Sequence, residues 1–222
     1  MPTIDIIGHD RAMALIRSSV IPDAAALADA LVAGGIHAIE FTLTTPDVEA
    51  HIARALRRDT GAVIGAGSVL TPAQARSALD AGAQFLATPG LSPQVAEIAQ
   101  QASVPLMMGA FTPSEIMQAL ALGVWAVKVF PAQTAGPEHF EHLLGPMPMA
   151  RLIASGGIVA GNAQSFLDAG AYAVTAGSSV VPAGALADAD WEQLRARATE
   201  FSSALGRRVG RGDPGAEESH AH

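Results

Sequence analysis

Four stretches of this chain end an alanine-rich segment on glycine and restart at once as a short apolar run: Ala33–Glu40, Asp80–Leu86, Ala121–Lys128 and Asp168–Val174. Each reads as a helix end, a glycine cap and the start of a strand. Glycine supplies the left-handed residue that closes a helix, and an uninterrupted apolar run is the signature of a strand buried on both faces. A chain built from repeats of this unit is steered toward a parallel sheet covered by helices.

Filling the gaps between these units predicts strands near Met13–Arg17, Ile39–Thr42, Val63–Gly67, Phe85–Thr88, Leu106–Met108, Val127–Phe130, Leu152–Ala154 and Ala173–Ala176. Helix starts are marked by Ser, Thr or Asp with proline at Ile21–Asp23, Thr45–Asp47, Thr71–Pro72, Leu91–Pro93 and Thr112–Glu115. Strand and helix alternate eight times in units of roughly 20–25 residues, which predicts a single-domain α/β protein, a (β/α)8 TIM barrel over residues 1–206. A doubly wound open sheet is the other fold with this alternation. Gly65-Ala66-Gly67 begins like a dinucleotide fingerprint, but Leu70 stands where its third glycine belongs, so no nicotinamide cofactor is expected. Residues 207–222, rich in Arg, Gly, Glu and His without periodicity, read as a disordered carboxyl-terminal tail.

The formal charge of −8 argues against nucleic acid or an anionic membrane as partner, while leaving room for a local anion site. With no cysteine, disulfides, thiol nucleophiles and thiolate metal sites are all excluded. No stretch reads as a signal peptide or a bilayer span, and a soluble cytoplasmic protein is expected.

Lys128 is the one lysine of the chain and lies within the apolar run Val124–Pro131. Every other cationic side chain there is arginine, whose guanidinium does not deprotonate to become a nucleophile, whereas an amine does. In a (β/α)8 barrel the chemistry gathers at the strand carboxyl ends. The polar residues expected there are Arg17, Glu40 with Thr42 and Thr44, Ser68, Thr88-Pro89, Lys128, Ser155-Gly156-Gly157 and Gly177-Ser178-Ser179. Lys128 and Glu40 are the acid–base candidates, and together they suggest imine chemistry, in which apolar surroundings favour the free amine and the carboxyl group moves protons. A snorkelling lysine and a structural salt bridge from Glu40 to Arg17 or Lys128 are the bland alternatives. Ser155-Gly156-Gly157 and Gly177-Ser178 follow the last two strands, where such barrels bind phosphate through backbone N–H groups; tight turns would need the same glycines. His139 and His142 lie one helical turn apart without a third ligand, so a solvated face is expected and no metal.

Six segments in order carry a resemblance over nearly the whole chain: Gly34–Leu43, Ile64–Leu70, Ala87–Gly90, Gly109–Glu115, Lys128–Ala132 and Ser155–Ile158. The chain resembles the 2-keto-3-deoxy-6-phosphogluconate (KDPG) and 4-hydroxy-2-oxoglutarate (KHG) aldolases, class I pyruvate aldolases on a β/α barrel. The resemblance implies Lys128 as the Schiff-base lysine and Glu40 as the general acid/base. It implies a pyruvyl pocket lined by Ser68, Pro89 and Phe130, and a phosphate site at Ser155, Gly156, Gly157, Gly177 and Ser178. It also implies a homotrimer that needs no cofactor and acts on a small 2-keto-3-deoxy sugar acid or its phosphate. Three departures stand out. Thr44 occupies a position where many members carry a carboxylate-binding arginine, and Arg17 at the end of the first strand is the expected substitute. Ser155 replaces threonine, and Met108 replaces a proline before Gly109. Thr44 and the segment Phe130–Pro137 also resemble the galactonate-derived homologue, which leaves the C4 configuration open. From other classes, a non-catalytic sugar-phosphate-binding barrel and a metal-dependent barrel lyase or isomerase share this fold.

Overall fold

The structure, a computed structural model, describes residues 4–206, so the tail expected at 207–222, with His220 and His222, lies outside the described residues. Eight parallel strands close into a barrel in sequential order. Ahead of the barrel lies α1 (Ile6–Asp10), followed by β1 (Ala12–Ile16), α2 (Ala24–Ala33), β2 (Ala38–Thr42), α3 (Val48–Leu56), β3 (Val63–Gly67) and α4 (Pro72–Asp80). The middle comprises β4 (Leu86–Ala87), α5 (Pro93–Gln101), β5 (Leu106–Ala110), α6 (Pro113–Ala121) and β6 (Ala126–Val129). The last part comprises α7 (Ala132–Ala135), α8 (Pro137–Leu144), β7 (Leu152–Ser155), α9 (Ala160–Asp168), β8 (Ala173–Ala176), α10 (Ala183–Ala187) and α11 (Trp191–Ser203). No helix among the described residues is long and apolar enough to cross a membrane.

The glycines of the repeated unit do what the sequence asked of them. Gly35, Gly82, Gly123 and Gly170 have φ of 87°, 96°, 68° and 96°, the left-handed range that an L side chain resists. Helix starts divide more finely. Thr71 and Thr112 build reciprocal capping boxes with Gln74 and Glu115, and Asp23 accepts from the N–H groups of Ala25 and Ala26. At the start of α3, Asp47 instead takes a left-handed φ of 51° and its carboxylate caps nothing.

The third and eighth strands have the expected bounds, the first, second, sixth and seventh differ by one residue at one end or both, and the fourth and fifth differ by two residues in length. The fourth strand keeps only Leu86–Ala87; the N–H of Thr88 still donates to the carbonyl of Met107 at 3.0 Å, and its hydroxyl donates to the carbonyl of Gly90 in the loop that follows. The fifth runs on to Ala110, since methionine at 108 allows the pairing of Met108 with Val127 and Ala110 with Val129 to continue.

Side chains alternate between two apolar compartments. The outer one fills the space between sheet and helices; the inner one, including Met13, Ala38, Phe85, Met107 and Ile153 with Ile7 of α1 beneath, fills the barrel. The registers order the interior into layers. Lys128 registers with Ile153, and Ile153 with Ala173. Closure at the shear of a (β/α)8 barrel staggers the strands by about one residue per step, so the β8 residue level with Lys128 is Thr175. Carried round the ring, the same count places Glu40, Ala87, Lys128 and Thr175 in one layer. Leu15, Gly67, Gly109 and Ser155 form the next layer toward the strand carboxyl ends, and Thr42, Pro89, Phe130 and Gly177 the rim.

Candidate active site

The layer count brings together the two titratable residues singled out from sequence, 88 positions apart. Lys128 Nζ donates to Glu40 Oε1 at 2.9 Å and to Oε2 at 2.8 Å. Both side chains are buried, 7% and 1% exposed. The amine is therefore not isolated among Val127, Val129 and Phe130 as its flanks suggest; its neighbours on the strand face outward or upward, and across the barrel it meets a carboxylate. Of the bland alternatives for Glu40, the ion pair forms with Lys128. A pair this deep is costly to desolvate and is held by its geometry rather than favoured for stability.

Glycine makes the room. A side chain on Gly67 would overlap the Glu40 carboxylate, one on Gly65 would overlap the ring of Phe85 in the barrel floor, and one on Gly109 would overlap the backbone of Pro89. Gly65 and Gly67 thus belong to a strand and open the interior; they form no nucleotide loop.

Above Glu40, the hydroxyl of Thr42 lies 3.0 Å from that of Thr44 and 3.4 Å from that of Thr45. Thr44 is exposed and joined to this hydroxyl cluster. Arg17 is the first residue past β1, on the inward-facing parity of Met13 and Leu15; it is exposed and enters no ion pair with the described residues. Ser68, half-buried, follows Gly67 with a left-handed φ of 57°. Pro89 and Phe130 stand at the rim, Phe130 with 44% of its surface exposed.

Gly156 and Gly157 have φ of 95° and 74°, Gly156 lying under the ring of Phe130 and Gly157 against Gln133. The backbone N–H groups of Gly157, Ile158, Ser178 and Ser179 donate to nothing among the described residues. They form a cluster of donors beside the amino end of α9, the arrangement an anion seeks. Gly177 and Ser178 lie at that mouth, whereas Ser155 is buried one layer above Lys128.

Two residues escaped the sequence reading. Thr175 shares the layer of Lys128 and Glu40, is 3% exposed, and its hydroxyl has no hydrogen-bond partner among the described residues. Its signal was the one polar residue within the eighth apolar run. His139, expected on a solvated face, is half-buried: its Nε2 donates to the carbonyl of Phe111 at 2.8 Å, and the two rings stack with centroids 5.2 Å apart. It fastens α8 to the end of β5, a contact between segments 28 residues apart that helical spacing does not reveal. His142 is exposed. Among the described residues no three His, Asp or Glu side chains gather as a metal site.

A closed (β/α)8 barrel with a single lysine, buried and salt-bridged to a carboxylate just inside the strand carboxyl ends, defines a class: a barrel equipped for amine–carbonyl chemistry. The family described as KDPG and KHG aldolase matches residues 4–197. The KHG/KDPG aldolase of Escherichia coli K12 is 34% identical over 175 residues, 78% of this chain and 82% of its own. A KDPG aldolase structure from Legionella pneumophila, with pyruvate captured as a covalent carbinolamine, superposes with a TM-score of 0.82 at 30% identity, covering 88% of this chain and 96% of that one. A native KDPGal structure gives 0.80 at 29% identity, covering 87% and 93%. The chain belongs to the KDPG and KHG aldolase family.

Proposed function

We propose that this protein is a class I pyruvate aldolase that cleaves KDPG to pyruvate and glyceraldehyde 3-phosphate, and KHG to pyruvate and glyoxylate. The observation that carries this reading is the bidentate Lys128–Glu40 pair, which stores a nucleophile and its proton acceptor in contact. Glu40 takes a proton from the ammonium, and the freed amine attacks C2 of the keto acid. Loss of water gives a protonated imine. The nitrogen cation then accepts the electron pair of the C3–C4 bond while Glu40 takes the C4 hydroxyl proton, so the aldehyde departs. Protonation of the enamine at C3 and hydrolysis of the imine release pyruvate.

In this proposal Arg17 meets the keto-acid carboxylate, with Thr44 and Ser68 as hydroxyl donors around it. Pro89 and Phe130 flank the pyruvyl group, and Gly156, Gly157, Gly177 and Ser178 face the distal phosphate or second carboxylate, while Ser155, expected with them from the sequence, lies deeper, one layer above Lys128. A second reading, cleavage of the galactonate-derived epimer, is favoured by Thr44 at the position after β2 together with the segment Phe130–Pro137. The working form is proposed to be a cytoplasmic homotrimer, with residues 1–206 as its one domain.

Incubation with pyruvate and borohydride, followed by intact mass and peptide mapping, tests the reading. A reduced pyruvyl adduct on Lys128, lost in Lys128→Met and indifferent to chelator, is the expected result. Absence of any adduct in folded protein would overturn it, and loss of activity with chelator would point to a metal-dependent lyase.

A further inference from the structure

We propose that Thr175 is a further catalytic residue, whose hydroxyl hydrogen-bonds the C2 oxygen of the keto acid while that oxygen is expelled from the carbinolamine on Lys128. The proposal rests on the Schiff-base reading above. Its first support is position. Val174 and Ala176 belong to the outer apolar compartment and Ala173 to the inner one, so the Thr175 side chain enters the barrel. The strand registers set it level with Lys128 and Glu40, on the strand that lies between β6 and β2 around the ring.

The second support is an unspent hydrogen-bonding group. At 3% exposure Thr175 has a hydroxyl with no partner among the described residues. A buried hydroxyl without a partner is unfavourable, and valine would fill the same shape without that cost. Lys128 directs two N–H bonds to Glu40 out of the three an ammonium carries.

The third support is the asymmetry of the two flanks. On the β8 side of the ion pair stand Thr175 and its registered neighbour Ser155. On the β4 side stand Ala87 and, above it, Pro89. A tetrahedral C2 bonded to Nζ presents one oxygen that needs a donor, and the polar flank is where it finds one.

The step balances without a co-reactant. Nζ forms the bond to C2, the carbonyl electron pair moves onto oxygen, and Glu40 gives that oxygen the proton it took from the ammonium, making a hydroxyl. Glu40 then takes a second proton from Nζ, which restores the nitrogen lone pair, and passes it to the hydroxyl. The C2–O pair then leaves with water as the nitrogen lone pair closes the imine. Thr175 donates a hydrogen bond to the oxygen throughout and transfers no proton.

The test compares wild type with Thr175→Val and Thr175→Ser, reading the rate of borohydride-trapped pyruvyl adduct on Lys128 together with Tm. Loss of a positioned donor to a charge-developing oxygen predicts trapping slower by about tenfold or more in Thr175→Val. Its Tm should match or exceed wild type, and Thr175→Ser should keep most of the rate. If Thr175→Val fails to fold, Thr175→Ala removes the hydroxyl with less bulk and carries the same comparison. Wild-type trapping rates in the valine or alanine variant would overturn the proposal, as would a serine variant as slow as valine. An absent adduct in wild type would instead overturn the Schiff-base reading itself.

Discussion

Removing the ammonium from the buried pair tests the electrostatics of the site directly. Lys128→Met retains an unbranched apolar stem but leaves the Glu40 carboxylate, 1% exposed, without its N–H donors at 2.9 and 2.8 Å. Breaking a buried ion pair from one side costs about 3–5 kcal/mol, because the surviving charge keeps its desolvation penalty and loses its compensation. In a domain of this size each kcal/mol lowers Tm by about 2–4 °C, so Lys128→Met should lose about 6–20 °C. Glu40→Met strands the ammonium in the same way and should cost a comparable amount. The double variant removes both charges and packs two flexible apolar side chains into the layer between Ala87 and Thr175. Its stability should return to within about 2 kcal/mol of wild type. Urea unfolding of the four proteins at one protein concentration, followed by circular dichroism, measures the cycle. If the two single losses add to the double within about 0.5 kcal/mol, the side chains do not share an interaction and the assignment of the pair is wrong.

Two further outcomes follow from groups at the strand ends. Arg17→Ala should raise KM for the keto-acid substrates by about 10–100-fold, the worth of a charge-assisted hydrogen bond, with a smaller change in kcat; steady-state kinetics showing an unchanged KM would remove Arg17 from carboxylate binding. Glu115 accepts from the N–H groups of Phe111 and Thr112 and the Thr112 hydroxyl at 2.9, 2.7 and 2.9 Å, and these bonds hold its carboxyl below the ordinary value of 4.5. A depressed carboxyl contributes stability above its unfolded value and loses it as pH falls through the folded one. Glu115→Gln should therefore lower Tm modestly at neutral pH, since the group is solvent-screened, and flatten the fall of Tm below about pH 4.5. Parallel Tm–pH curves for wild type and variant would refute the capping role.

Much of the site was legible because its parts announce themselves locally. A lone lysine in an apolar strand, a glutamate in another and glycines with serine after the last two strands are all visible as residue types in the wrong company. Other parts were not. Asp47 was expected to open α3 as a cap, yet it adopts a left-handed φ of 51° and its side chain accepts no capping hydrogen bond. His139 looked solvated because helical spacing does not reveal that the end of β5 comes to meet it. Gly65 and Gly67 invited comparison with a nucleotide loop, and their purpose appeared only with the side chains of Phe85 and Glu40 in place.

The sequence by itself determined the alternation of strand and helix, the glycine caps, the single amine and, through the order of its motifs, the family. These are local properties: period, capping chemistry and residue type act within a few positions of one another. Only the tertiary structure decided which inward side chains share a level. That depends on strand register summed around a closed ring, with a stagger of about one residue per strand, and no local stretch encodes the sum. Glu40 and Lys128 meet, and Thr175 joins their layer, because the barrel closes with that stagger; a different register would carry β8 to another height and leave its hydroxyl with other neighbours.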